Sequence, residues 1–121
     1  MAAADIVVVE DHEGLRRAVE RLLLAGGHRV SSFPSAEALL ESEARSSAGC
    51  LILDVRLPGL SGFELRERLA RQGAHPPVIY VTAHDDPSAR ERAAREGAAL
   101  FIKPVDGRLL LDAVARALSG A

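Results

Sequence analysis

Cysteine occurs once in these 121 residues, so no intramolecular disulfide can form. Cys50 sits inside an apolar run and reads as a small buried hydrophobe in a reducing compartment. Positive charge is not in excess either. Fifteen basic residues face seventeen acidic ones, a net of −2, which argues against the basic stripe of a nucleic-acid surface. Arginine alternates with glutamate in Arg66-Glu67-Arg68 and Arg90-Glu91-Arg92, the pattern of solvated ion-pair faces. No apolar run approaches the roughly eighteen residues that cross a bilayer. The start, Met1 to Asp5, has neither the basic end nor the apolar stretch of a signal peptide. A cytoplasmic location and no membrane contact are expected. Repeats, low-complexity tracts and linkers are lacking, so residues 1–121 are expected to form one domain, long enough to bury a core without staples.

Lysine is the scarcest charge. Of fifteen basic side chains only Lys103 is a lysine. Arginine is a planar fork and lysine a compact point charge on a flexible stem, and the two do not interchange in a tight site. A single lysine between an apolar run and a proline reads as a placed residue rather than a generic surface cation.

What is present is a set of short apolar runs that end in polar groups. Ile6-Val7-Val8-Val9 meets Glu10-Asp11, and Cys50-Leu51-Ile52-Leu53 meets Asp54. Val78-Ile79-Tyr80-Val81 meets Thr82, and Leu100-Phe101-Ile102 meets Lys103-Pro104. Runs of this length between helical stretches read as buried strands of a parallel sheet. His28 to Phe33 is a more polar strand, expected at an edge.

Between the runs, Leu15, Val19, Leu22 and Leu23 recur at helical spacing and Gly26-Gly27 ends that helix. Ser35 caps a short helix carrying Ala38, Leu39 and Leu40. Pro58-Gly59 marks a turn, and Ser61 to Glu64 is a capping box opening a helix through Arg71. Asp86-Pro87 starts a fourth helix, whose inward candidates are only Ala89, Ala93 and Ala94. So little buried area predicts a weakly anchored, movable element. Asp106-Gly107 opens the last helix, with Leu109, Leu110, Ala113, Val114, Ala117 and Leu118 as its expected buried stripe. Five strands alternating with five helices predict a flavodoxin-like (βα)5 three-layer α/β sandwich, its parallel sheet ordered 2-1-3-4-5.

In such a sheet, ligands gather beyond the carboxyl ends of the strands. That places Glu10, Asp11, Asp54, Thr82 and Lys103 around one spot. Three close carboxylates repel by several kcal/mol at an effective dielectric of about 20. A hard divalent cation offsets that repulsion, and magnesium takes carboxylates, waters and a phosphate. Lysine and a hydroxyl complete an inventory suited to a phosphoryl group arriving at a carboxylate. Taken singly, each residue also has a plain reading as a cap or turn residue. The histidines at 12, 28, 75 and 84 show no metal-ligand spacing and read as surface or loop residues. Co-occurrence at four strand ends favours the chemical reading.

These residues resemble the receiver domain of two-component response regulators over essentially the whole chain. The matching motifs are Val9-Glu10-Asp11, Leu53 to Gly59, Val81-Thr82-Ala83 and Lys103-Pro104. Asp54 to Gly62 and Thr82 to Asp86 further resemble the receivers of nitrogen-fixation-type regulators. The resemblance implies that Asp54 is the phosphoacceptor, fed by a sensor histidine kinase or a phosphotransfer protein. Glu10, Asp11, Asp54 and the Arg56 carbonyl would hold Mg²⁺, and Lys103 would bind a phosphoryl oxygen ahead of a usually cis bond to Pro104. Thr82 would swing to the phosphoryl group, joined by the Ala83 N–H. A strand-five aromatic would follow it and remodel the face of the fourth helix, fifth strand and fifth helix, a surface for a phosphorylation-dependent homodimer. Arg56 and His84 would flank the phosphoryl group and tune its hydrolysis. Such a module is not an enzyme beyond its own phosphotransfer and autodephosphorylation.

Two departures stand out. His12 replaces a commoner acid or small polar residue, and the stretch Gly97 to Lys103 is one residue short. The family's switch aromatic lies three before the lysine, where this chain has Leu100. Either the preceding loop absorbs the gap and Phe101 takes the role, the favoured expectation, or the aromatic is buried, Leu100 fills the switch position and signalling runs differently. A degenerate receiver acting through protein contacts is the alternative. An aspartate-nucleophile phosphatase would want an acid where Arg56 stands, and a nucleotide- or flavin-binding module would want a glycine-rich loop where Glu10 to Glu13 stand. The 121 residues contain no helix-turn-helix, compatible with a stand-alone receiver or the front of a longer regulator.

Overall fold

Runs of valine, isoleucine and leucine form the centre of the computed structural model, which describes residues 5–120. The expectation made for the start of the sequence falls on residues 1–4, which lie outside the described residues. The strands are β1 (Asp5–Val9), β2 (Arg29–Phe33), β3 (Ala48–Asp54), β4 (Val78–Thr82) and β5 (Ala99–Ile102). All pair in parallel, in the order β2-β1-β3-β4-β5, as expected. The polar strand β2 is indeed at an edge. The helices are α1 (Glu13–Ala25), α2 (Ala36–Leu40), α3 (Ala44–Ser47), α4 (Gly62–Arg71), α5 (Pro87–Glu96) and α6 (Gly107–Ser119).

Side chains alternate across a strand, so each face of the sheet owns its own core. One face joins Val7, Val9, Leu51, Leu53 and Tyr80 to residues of α2, α4 and α5. The other joins Ile6, Val8, Cys50, Ile52, Ile79 and Val81 to residues of α1 and α6. Each fully buried aliphatic side chain contributes about 1.5–3 kcal/mol of transfer free energy. Caps set the helix starts. The Ser61 hydroxyl accepts from the Glu64 N–H at 3.1 Å while Glu64 accepts from the Ser61 N–H at 3.0 Å. Asp86 accepts from the Ser88 N–H at 3.0 Å, with Pro87 at the first helical position. His12, read from sequence as a loop residue, caps α1 by accepting from the Leu15 N–H at 3.1 Å.

Three expectations are corrected. The crossover from β2 to β3 holds two short helices rather than one, because Glu41-Ser42-Glu43 offers nothing apolar to bury. There Ser42 accepts from the Ala44 N–H at 3.1 Å and starts a new turn. The fourth and fifth helices of the sequence reading are therefore α5 and α6. Leu109 is 52% exposed: Leu110, Ala113 and Val114 hold the inward face of α6, and Leu109 falls outside that stripe. Ala94 is also exposed, so α5 buries only Ala89 and Ala93.

Candidate functional site

Parallel pairing brings the carboxyl ends of β1, β3, β4 and β5 side by side. Backbone bonds run one step past the strands and carry the polar residues with them. The Glu10 N–H donates to the Phe33 carbonyl at 3.1 Å, the Val55 N–H to the Val81 carbonyl at 2.9 Å, and the Lys103 N–H to the Thr82 carbonyl at 2.8 Å. Gly62 is required close by, since a Cβ there would come within 2.4 Å of the Asp54 carbonyl oxygen.

Lys103 stands at the centre. Its Nζ lies 2.9 Å from Asp54 Oδ2 and 2.8 Å from Glu10 Oε1. The other Asp54 oxygen, Oδ1, accepts from the Arg56 N–H at 2.9 Å. Glu10 Oε2 accepts from the His12 N–H at 3.0 Å, and the Glu10 carbonyl accepts from the Arg16 guanidinium at 3.0 Å. Burial raises the Glu10 pKa above its usual range and the nearby Asp54 charge adds to this, while Lys103 and the His12 N–H pull the other way. Burial works to lower the Lys103 pKa, but its bonds to Glu10 and Asp54 carry it above the ordinary lysine value. The amine therefore stays charged. The peptide bond from Lys103 to Pro104 is cis.

Glu10 and Asp54 are buried and Asp11 is exposed, with ligand oxygens of all three within 4.8 Å of one another. Three hard oxygen donors, two of them sharing a single amine, are a donor set that fits Mg²⁺. Thr82 is 1% exposed, and its hydroxyl accepts from the His84 N–H at 3.2 Å. Ala83, His84 and Arg56 are exposed beside it, Arg56 near enough to Asp86 to help hold that carboxyl below its usual range, behind the Ser88 bonds.

Phe101 does not follow the expected plan. In the register Tyr80↔Leu100, Val81↔Phe101, Thr82↔Ile102, it packs with Val81 on the α1/α6 side. Leu100 lies on the other face with Tyr80, the side on which alternation also places Thr82. The one-residue gap is not absorbed ahead of the strand, and it flips the aromatic to the opposite face. Sequence reasoning also missed Tyr80, whose buried hydroxyl donates to Glu96 at 2.5 Å. Its only signal was being the sole aromatic in the β4 run.

The family model for the response regulator receiver domain matches residues 6–115. Nodulation protein W of Bradyrhizobium diazoefficiens is 43% identical over 115 residues, which cover 94% of this chain and 51% of that protein. The transcriptional regulatory protein FixJ of Azorhizobium caulinodans is 38% identical over 112 residues, covering 92% of this chain and 53% of that one. The chain thus spans about half the length of these relatives. Among solved structures, the BeF3-activated receiver domain of DrrB, a Thermotoga maritima protein, superposes with a TM-score of 0.84. It is 28% identical, and the match covers 98% of this chain and 99% of that one.

Proposed function

The chain belongs to the response regulator receiver family, and on that footing we propose that residues 1–121 form one phosphoacceptor domain whose switch is phosphorylation of Asp54. The observation that carries this reading is the Lys103 ammonium shared between Asp54 and Glu10, with Asp11 alongside. A phosphohistidine of a sensor kinase or phosphotransfer protein is the donor. Its P–N bond breaks as a P–O bond forms to the Asp54 carboxylate, and the imidazole leaves neutral, its second nitrogen already protonated.

Glu10, Asp11, Asp54 and the Arg56 carbonyl would hold Mg²⁺, which supplies charge compensation for the phosphoryl oxygens. Lys103 contributes the second positive charge, already aimed at Asp54. Thr82 and the Ala83 N–H supply neutral donors once the hydroxyl turns from His84. Arg56 and His84, exposed at the rim, limit access of water to the phosphoryl group and set its lifetime. The output surface is the face of α5, β5 and α6, which also serves the phosphorylated homodimer. Thr82 works there with Leu100 rather than Phe101. The domain acts in the cytoplasm, contacts neither nucleic acid nor membrane itself, and turns over no substrate beyond its own phosphoryl group.

Acetyl phosphate with Mg²⁺ tests this directly. Intact-protein mass spectrometry should show one added phosphoryl group, not formed when Mg²⁺ is chelated beforehand and absent in Asp54→Ala. A phosphoryl group still present in the alanine variant would overturn the assignment.

A further inference from the structure

We propose that Tyr80 and Glu96 form a latch that holds α5 in its present position and must release before Thr82 can serve the phosphoryl group; the inference rests on the switch reading above. The argument begins with how poorly α5 is held by area. It buries two alanines, and its other attachments are directional. Glu96, in the last turn, accepts from the Tyr80 hydroxyl at 2.5 Å and lies 3.3 Å from the Arg66 Nε of α4. Arg92, one turn earlier, pairs with Glu67 and rests 4.7 Å above the Phe63 ring. The helix is thus clasped near its carboxyl end.

Its other end connects to the site through residues 83–86. There the Thr82 hydroxyl is occupied by the His84 N–H, and neither Lys103 nor Asp54 is among its partners. To reach a phosphoryl group the hydroxyl must leave that N–H, and the connection to α5 is then free to move. Tyr80 and Thr82 stand two residues apart on one strand, on the same side of the sheet. One strand therefore presents a group to each end of the helix. Movement at Thr82 and retention at Tyr80 oppose each other through a rigid element.

Tyr80→Phe removes the hydroxyl and keeps the ring, and Glu96 retains Arg66 and Arg92, so no buried charge is stranded. In the unphosphorylated protein, hydrogen exchange of amides 88–96 should accelerate about tenfold, the size of one bond to a charged acceptor. Glu96→Gln should shift the same amides the same way. Phosphorylation by acetyl phosphate should run about three- to tenfold faster in Tyr80→Phe, and a Thr82→Ala background should abolish that gain. Merely looser packing would leave the gain intact. Unchanged α5 exchange in both variants, with normal phosphorylation, would overturn the latch alone. Failure of the unaltered protein to take a phosphoryl group would overturn the switch reading first and the latch's role with it.

Discussion

Helices α5 and α6 cover the β4–β5 edge of the sheet from opposite faces, and they hold on by different physics. α6 buries Leu110, Ala113 and Val114 against Ile79, Val81 and Phe101. α5 buries Ala89 and Ala93 and otherwise relies on Tyr80, Arg66, Glu67 and Phe63. Apolar burial has no preferred direction and is lost only by separating the surfaces. A hydrogen bond or ion pair can be exchanged for another, or for water, at a net cost near 1 kcal/mol. A helix fastened by area is scaffold. One fastened by directional bonds can take a second position without unfolding the domain.

The largest expected effect breaks the scaffold side. Leu110 is 1% exposed, and Leu110→Ala should cost about 3 kcal/mol by transfer loss plus cavity. Urea unfolding measures this, and a loss under about 1 kcal/mol would mean that α6 is not held by area. The cost should appear as global destabilisation, without selective loosening of α5.

A matched pair of glycines sharpens the contrast. Both helices end in a left-handed glycine, Gly97 at φ 70° and Gly120 at φ 75°, and a Cβ at either meets nothing within 4 Å. The intrinsic backbone cost of alanine is therefore the same at both, about 1 kcal/mol. Gly97 turns the chain from α5 straight into β5 and cannot relax. Gly120 ends α6, and its N–H bond to the Ala117 carbonyl is already long at 3.4 Å, so the last turn can fray. Gly97→Ala should lower the urea midpoint by the full cost and Gly120→Ala by less than half. Equal shifts would erase the distinction between a turn fixed by the strand that follows it and one closed by a long bond.

Much of this was legible in the chain. The β-branched runs, the polar edge strand and the caps Ser35, Ser61, Asp86 and Asp106 are local signals, and together they fix strand order and helix starts. The site residues were legible because each terminates a run, so a correct sheet order brings them together. Registration within a run was not. Whether Leu100 or Phe101 faces Thr82 depends on a single residue of loop length, which periodicity cannot weigh against packing. The break between α2 and α3 hinges on a serine bonding its own neighbourhood. The Tyr80–Glu96 bond joins residues sixteen apart on different elements, and nothing in either run announces the partner.

The smallest expected effect is alkaline, and it tests the α5 fastening alone. Tyr80 is the only tyrosine in the chain, so phenolate absorbance reports it without overlap. Burial pushes its pKa well above the ordinary value of 10.0, and the Glu96 carboxylate pushes it further, against the opposing charges of Arg66 on α4 and Arg92 on α5. Above pH 10 the unfolded chain gives up this proton while the folded protein keeps it. The unfolded state then binds fewer protons, so stability falls as pH rises, having been fully present below pH 10. Phenylalanine has no proton to lose. The stability difference between the unaltered protein and Tyr80→Phe should stay constant around pH 8 and narrow above pH 10. The change is set by proton loss from the unfolded tyrosine and stays under about 1 kcal/mol at pH 10.5. A folded protein that forms phenolate near pH 10 would place Tyr80 in contact with water, and α5 would then be held by its two alanines and the Arg66, Glu67 and Phe63 contacts without the Tyr80 bond.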